Sequence, residues 1–147
     1  MFTTAADPTV AFVDGVKVAL LANAVLVGLV TGIYGHLSEA ARVAYPYIVL
    51  GRRTTHGDGE SFGITGGRLS LQIDIFSAAK GPYQVSAIGA EVHRALDRQP
   101  ITVPGFVVIA GSLTREFQEV FDEPDADKPE AILYHAVQQW SAQLEAA

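Results

Sequence analysis

The chain has 147 residues and a mass of 15.6 kDa, a length that predicts one domain built around one hydrophobic core. Hydrophobic residues make up 49% of it and charged residues 18%, a balance that excludes wholesale disorder, collagen and a simple coiled coil. Cysteine is absent from the sequence, which excludes disulfide scaffolds, thiolate catalysis, iron–sulfur clusters and cysteine-ligated zinc.

The net charge of −6 is unevenly distributed along the chain. Residues 1 to 115 hold 9 basic and 8 acidic side chains, whereas residues 116 to 147 hold 1 basic and 8 acidic side chains. Seven of these acids lie between Glu116 and Glu130, and the chain has no stripe of Lys and Arg interleaved with aromatic residues. We therefore expect no specific recognition of DNA or RNA, and the acidic run is typical of a solvated hairpin tip.

Neither a membrane span nor an export signal is expected. The most apolar stretch, Val18 to Val30, has 13 residues and is interrupted by Asn23, whereas about 18 to 20 apolar residues are needed to cross a bilayer. Asp7 and Asp14 precede the first basic residue, Lys17, which is the reverse of a signal peptide. We therefore expect that the protein is not exported.

The first predicted element is a helix over residues 9 to 30, because its apolar positions follow helical spacing and Gly32 stands where a helix stop is expected. The predicted helix is unusually apolar, since Val18 and Val27 fall outside its best-packed stripe. Either another subunit covers its outer side or its own domain buries it from all directions.

The middle of the chain predicts two strands, a loop and a second helix. Residues 45 to 52 are rich in β-formers, and residues 53 to 67 hold five glycines without a sustained pattern, which is typical of a long loop. Apolar and polar residues alternate over residues 69 to 76, which predicts a half-buried strand, and helical spacing returns over residues 82 to 98. The core-facing positions of this strand are Leu69, Leu71, Ile73 and Ile75.

The last part of the chain predicts two more strands. Residues 106 to 113 are continuously apolar, and the apolar residues up to Phe121 extend the segment. Residues 122 to 128 carry turn chemistry, and residues 131 to 140 return as a final strand, with a terminal helix as the alternative. The expected fold is α+β: an antiparallel four-stranded sheet with two helices on one face, in the order αββαββ.

Motifs for catalysis or cofactor binding are absent from the sequence, and we predict no cofactor. The four histidines form no HExxH motif, there is no GxSxG motif, and the glycine-rich segment lacks the ending of a phosphate loop. His56, Asp58 and Glu60 alternate within the predicted loop, where they offer nitrogen and oxygen ligands to a divalent cation or else form a solvated surface.

Four segments in order carry a resemblance to a known family. They are Ile33 to Gly35, the strand Tyr45 to Gly51 (YPYIVLG), the strand Leu69 to Ser77 (LSLQIDIFS) and the helix end Val92 to Leu96 (VHRAL). Together with the apolar first helix they resemble the tail completion, or tail terminator, proteins of long-tailed bacteriophages and related prophage or gene-transfer particles. The final segment, Tyr134 to Trp140, alternates less clearly than is usual in that family.

The resemblance implies a virion structural protein and not an enzyme. In such a protein a ring, commonly of six subunits, sits at the head-proximal end of the tail tube, stops its polymerisation and joins it to the head connector. The implied partners are other copies of the chain, the tube protein and the connector, while DNA passes through the lumen without specific contact.

Three groups of residues are candidates for these contacts. Residues of the long loop are expected to dock onto tube or connector: Arg53, His56, Asp58, Glu60 and Phe62. Apolar residues of helix and strands are expected to form subunit contacts in the ring: Val27, Tyr47 and Trp140. The acids of the hairpin are expected at its tip or in the lumen: Asp122, Glu123, Asp125 and Asp127.

Two other functions are compatible with the sequence. One is another neck or tail component of related fold, such as a tube or head-closure protein, which would differ in its partner. The other is a small α+β enzyme or ligand-binding domain with a metal at His56, Asp58 and Glu60. Stoichiometric metal in the purified protein would favour the latter.

Overall fold

The computed structural model describes residues 8–35, 44–57, 66–78, 81–124 and 132–147. Within them the chain forms three helices and six strands. The helices are α1 (Thr9–Leu21), α2 (Ala24–Leu29) and α3 (Tyr83–Leu96). The strands are β1 (Gly32–Tyr34), β2 (Tyr47–Gly57), β3 (Gly66–Ser77), β4 (Phe106–Val108), β5 (Thr114–Pro124) and β6 (Ile132–Ala146).

The strands form one mixed sheet with β3 and β6 at its centre. Its order is β1, β2, β3, β6, and the far side of β6 pairs with β5 along most of its length and with β4 near its end. The β1–β2 pair is parallel and the other pairs are antiparallel. The two central strands stay in register over 12 residue pairs, from Gly66 with Glu145 to Ser77 with Tyr134.

The helices pack on one face of the sheet, which we call the helix-covered face. Leu69, Leu71, Ile73 and Ile75 of β3 point towards the helices and are completely buried. Strand periodicity places the residues between them on the opposite face, together with their cross-strand partners. The alternation in β3 that predicted a strand is confirmed.

The first predicted helix is two helices, because the chain breaks at Asn23. The Asn23 side-chain oxygen accepts a hydrogen bond from the backbone N–H of Leu26 (3.1 Å) and so caps the start of α2. Its side-chain amide donates to the Glu91 backbone oxygen and carboxylate at 3.4 and 3.3 Å, which ties the break to α3. Among the described residues, no helix is long and apolar enough to cross a bilayer.

The predicted sheet of four antiparallel strands with two helices is wrong. The structure has two additional strands, β1 and β4, and β1 makes the sheet mixed because it runs parallel to β2. Each additional strand has three residues, too few to produce a readable alternation in the sequence. The apolar run predicted as one strand over residues 106 to 113 is divided, since β4 ends at Val108 and β5 begins at Thr114.

Three other predictions are settled by the structure. The final predicted segment is a strand from Ile132 to Ala146 and not a terminal helix. The second predicted helix is α3, which begins and ends within two residues of the expected bounds. The predicted loop at 53 to 67 is shorter than expected, because β2 continues to Gly57 and β3 begins at Gly66.

Candidate assembly surfaces

The outer side of α1 and α2 is an exposed apolar surface, which we call the helix surface. Its large side chains are between 37% and 68% exposed: Val10, Val18, Leu21, Val25, Val27 and Leu29. The charged residues between Val10 and Leu29 are Asp14 and Lys17. Scattered exposed apolar residues are ordinary, but a continuous set of this kind marks an interaction surface.

A groove runs beside α1 on this surface, with a volume of about 420 Å³. Its walls come from α1 and from residues 100 to 104, and Val18, Ala22 and Ile101 are among the lining residues. Gly15 allows the close approach of the two walls, since a Cβ there would lie 2.5 Å from Ile101 Cγ2 and 3.0 Å from the Thr102 backbone oxygen. The groove is therefore a built feature of the packing between α1 and this segment.

The outer strands carry a second exposed apolar surface, which we call the hairpin surface. Its members belong to β5 and the first residue of β6 and are between 40% and 50% exposed: Phe117, Val120, Phe121 and Ile132. Strand alternation places the two phenylalanines on the opposite face of the sheet and Val120 and Ile132 on the helix-covered side. Exposed acids lie among them, including Glu119, Asp122 and Glu123. The surface thus combines projecting aromatic side chains with strong negative charge.

Four strands contribute to a row of rings on the opposite face of the sheet, which we call the aromatic row. Tyr47, Phe76, His135 and Phe121 are successive cross-strand partners in β2, β3, β6 and β5. Their ring centroids are 5.0, 4.2 and 6.2 Å apart in that order, and the first two pairs are stacked. Such cross-strand aromatic pairs stabilise the register of the sheet.

Asp74 fixes the histidine of the aromatic row. Its Oδ1 lies 2.8 Å from His135 Nε2, and both side chains are largely buried. The Gln72 amide donates to the same carboxylate at 3.0 and 3.2 Å. A Cβ on Gly51, within the β2 bulge, would lie 2.7 Å from Asp74 Oδ2, so only glycine leaves room for the carboxylate.

The environment at the β2 end of the aromatic row disfavours negative charge. Burial raises the pKa of the Tyr47 hydroxyl above its ordinary value of 10.0, and the neighbouring Tyr45 and the Glu123 carboxylate raise it further. Strand alternation places Glu123, two residues after Phe121 in β5, on the same face of the sheet as Tyr47. Tyr47 is therefore neutral at physiological pH and presents an apolar ring with a polar tip.

A polar network on the helix-covered face holds α3 to the sheet. The side-chain amide of the completely buried Gln138 donates to the Gly89 backbone oxygen at 2.9 Å and to Gln118 Oε1 at 2.6 Å. Gln138 Oε1 accepts from the indole N–H of Trp140 at 2.7 Å. The bond from the indole N–H satisfies the single polar atom of the Trp140 side chain, which is buried in the core.

An open polar groove of about 560 Å³ separates α3 from β5. It is lined by His93, Arg94, Asp97 and Arg115 among others, and the Arg94 guanidinium is paired with the Glu91 carboxylate. In the described part of the chain, no group of three or more His, Asp or Glu side chains is arranged to hold a metal ion. The predicted metal ligands Asp58 and Glu60 lie outside the described residues.

The predicted ring contacts differ in their exposure. Val27 is 44% exposed on α2, and Tyr47 is half-buried in the aromatic row. Trp140 is completely buried and packs against His93 with ring centroids 5.6 Å apart, so its side chain is part of the core of its own chain. Only Val27 and Tyr47 of this group therefore present surface to a neighbour.

The predicted docking and hairpin residues are described only in part. Arg53 lies in β2 and is exposed, and its guanidinium donates to the backbone oxygens of Gly35 and Leu50. His56 belongs to β2, while Asp58, Glu60 and Phe62 lie outside the described residues, as do Asp125 and Asp127. Asp122 and Glu123 are exposed near the end of β5.

Sequence reasoning missed the aromatic row and the groove beside α1. The row depends on the register of four strands whose rings lie far apart in the sequence, between Tyr47 and His135. No local sequence pattern encodes that register. One signal was available for the groove, since a glycine at position 15 in the middle of an apolar helix indicates the close approach of another segment.

A mixed α+β fold with two exposed apolar surfaces and an acidic outer strand is typical of a structural protein that functions within an assembly. The family described as tail completion protein gp17 matches residues 15–145, and the chain belongs to this family. It is accordingly a structural component of a phage-type tail, located in the tail or neck of the virion. No curated protein matches the sequence.

Two solved structures resemble the chain in fold. A chain from the virion of a native gene transfer agent particle superposes with a TM-score of 0.71 at 20% identity, covering 91% of this chain and 94% of that one. The gp17 protein of bacteriophage SPP1 superposes with a TM-score of 0.57 at 17% identity, covering 90% of this chain and 88% of that one. The mixed sheet with its helices on one face is therefore shared with proteins of tailed particles.

Proposed function

We propose that this protein forms a ring at the head-proximal end of the tail tube, where it terminates tube polymerisation and joins the tail to the head connector. The observation that carries the proposal is the family match over residues 15–145, which makes the chain a tail completion protein. A ring of about six subunits is the form that we expect for this role.

The two apolar surfaces support ring formation. The helix surface and the hairpin surface consist of different residues, so a contact between them is head-to-tail and repeats from copy to copy. A head-to-tail contact leaves no unpaired surface only when it closes into a ring. Closure also gives an assembly of fixed size, which suits a part that ends a growing tube.

The acidic segment supports passage of DNA through the ring. Seven acids between Glu116 and Glu130 repel phosphates, so a lumen wall that includes this segment would let DNA slide without holding it. We propose that Asp122, Glu123, Asp125 and Asp127 contribute to that wall or to the tip beside it.

We propose that the segment from Arg53 to Gly67 docks onto the tube or the connector. It joins the ends of β2 and β3 and holds five glycines together with His56, Asp58, Glu60 and Phe62. Glycine adopts many backbone conformations, so a segment of this composition can follow the surface of a partner.

The test of the function uses tails assembled without their terminator. Purified protein added to such tails is expected to stop tube growth and to restore joining to heads, counted as tail lengths and head-joined tails in electron micrographs. Tails that keep growing with the protein bound along their length would instead identify a tube component. Absence of any binding to tail ends would overturn the proposal.

A deletion tests the docking segment separately. Removal of residues 57 to 63 is expected to leave a folded protein, by circular dichroism and thermal unfolding, that no longer caps tails. Substitution Tyr83→Ser serves as a control, because this exposed side chain lies on α3 outside the segment. Normal head joining by the deletion variant would refute the docking role while leaving the terminator role intact.

A further inference from the structure

The two apolar surfaces differ in form, since one exposes aromatic side chains and the other contains a groove. Phe117 and Phe121 of the hairpin surface are 46% and 45% exposed, although aromatic side chains are normally buried. The helix surface is concave where the groove of about 420 Å³ runs beside α1. Projecting aromatic rings and an apolar groove bury each other's surface, which is how anchor residues stabilise interfaces.

Charge opposes pairing of two hairpin surfaces. The segment from Glu116 to Glu130 carries seven acids and a single base, Lys128. Two copies of it in contact would bring like charges together, which destabilises an interface. The helix surface carries one acid, Asp14, which lines the groove, and one base, Lys17, so it is close to neutral and repels the acidic hairpin surface less than a second hairpin surface would.

The position of β5 in the sheet also points to a second copy. β6 pairs with one side of β5, and among the described strands none pairs with its other side. An edge strand of 11 residues that also exposes apolar side chains tends to associate unless something covers it. Contact with a neighbouring copy would shield this edge in the assembled protein.

We propose that the hairpin surface of one copy packs on the helix surface of the next, with Phe117 and Phe121 entering the groove beside Val18 and Ala22. This inference rests on the proposed ring, because it names the contact that repeats around it. The contact is head-to-tail, since the two surfaces share no residue.

Cross-linking between two single-cysteine variants tests the contact, and the absence of native cysteine makes the chemistry specific. Ala22→Cys places a thiol in the groove and Glu119→Cys places one between Phe117 and Phe121 on the same face of β5, both at exposed positions. A mixture of the two variants, one of them carrying a mass tag, is treated with a bis-maleimide. The expected product is a covalent dimer containing one copy of each.

Surface substitutions test the energetics of the same contact. Val18→Asp and Phe121→Asp, each at an exposed side chain, are expected to weaken self-association by about tenfold or more while the monomer stays folded. Tyr83→Asp is the matched control, because Tyr83 is 82% exposed and lies outside both surfaces. Sedimentation across a concentration series measures association, and circular dichroism verifies folding.

Each result separates the contact from the ring. Closed rings without the mixed cross-link would overturn the contact and keep the proposed ring. Dimers formed mainly by Ala22→Cys alone would show a symmetric helix–helix contact and overturn it as well. Open filaments that give the mixed cross-link would support the contact and contradict closure, whereas a protein that stays monomeric at every concentration would overturn the contact, leaving the tail-capping test to judge the function.

Discussion

Gln138 is a polar side chain in a position where apolar side chains surround it. It faces the helices from the middle of β6, next to Ile73 of β3, and is completely buried. Both polar atoms of its side-chain amide are hydrogen-bonded: the nitrogen donates to the Gly89 backbone oxygen and to Gln118, and the oxygen accepts from the Trp140 indole N–H. A buried amide stabilises a fold only when its partners are all in place, as they are here.

Replacement of Gln138 by Leu is expected to lower the free energy of unfolding by about 1 to 3 kcal/mol. The side chains are similar in size, so the cost comes from the Trp140 indole N–H, which would lose its acceptor inside the core. Urea unfolding, followed by the fluorescence of this single tryptophan, measures the change.

Gln139→Leu is the matched control for this substitution. Gln139 is the next residue of β6 and lies on the opposite face, where it is partly exposed. Its replacement is expected to change the free energy of unfolding by no more than about 0.5 kcal/mol. Equal losses for the two variants would contradict the role assigned to the buried network.

Individual candidate residues were predictable from the sequence only where a local pattern marks them. Val27 stood outside the packed stripe of an apolar helix, and the structure exposes it. No local pattern showed whether Trp140 is buried or exposed, because a large aromatic residue suits a core and an interface equally; the structure buries it completely. The aromatic row could not be predicted from the sequence, since His135 stacks on Phe76 only through the pairing of strands that are distant in sequence.

At the scale of elements, α1 is placed by the close approach of residues 100 to 104. Gly15 and Gly28 are both helical glycines, but only Gly15 faces another segment closely, while a Cβ on Gly28 would meet nothing within 4 Å. Helix propensity favours alanine over glycine at both positions. The difference between the two sites therefore isolates the packing of α1.

Gly15→Ala is expected to destabilise the protein by about 1 to 2 kcal/mol, because the overpacking against Ile101 exceeds the gain in helix propensity. Gly28→Ala is expected to raise stability by about 0.5 kcal/mol, since it gains propensity without a collision. Thermal and urea unfolding of both variants measure the two signs. Stabilisation by both substitutions would contradict the close packing of α1.

Long elements with a clear period were predictable, and short or interrupted ones were not. β3 and α3 show alternation and helical spacing over 12 and 14 residues, and both lie close to their predicted bounds. β1 and β4 exist because neighbouring strands offer them hydrogen bonds, which no sequence period reports. The break between α1 and α2 at Asn23 was not predicted, because the apolar spacing continues across it, although asparagine is a favoured helix cap.

At the scale of the whole molecule, apolar surface and charge are segregated. The helix surface carries two opposite charges, Asp14 and Lys17, whereas seven acids lie between Glu116 and Glu130. Exposure of the apolar helix surface to water does not stabilise a monomer. Repulsion among the acids between Glu116 and Glu130 opposes a compact arrangement of that segment. Association of the two surfaces relieves the apolar exposure while it leaves the acids at the rim of the contact.

The stability of the protein is accordingly expected to depend on its concentration. Association adds free energy to the folded state by mass action, so each tenfold rise in concentration above the dissociation constant contributes about 1.4 kcal/mol. For a chain of this length that corresponds to an increase in Tm of about 3 to 6 °C per tenfold rise. The fluorescence of the buried Trp140 reports the transition at every concentration.

Val18→Asp is expected to abolish this concentration dependence without changing the Tm of the dilute protein, because Val18 is 68% exposed in the single chain and is covered only by a neighbour. Tyr83→Asp should retain the dependence, since its side chain is exposed on α3 away from both surfaces. A Tm that is constant with concentration in the unmodified protein would show that the helix surface stays exposed in solution. A fall in the dilute Tm of Val18→Asp would instead place Val18 in the packing of its own chain.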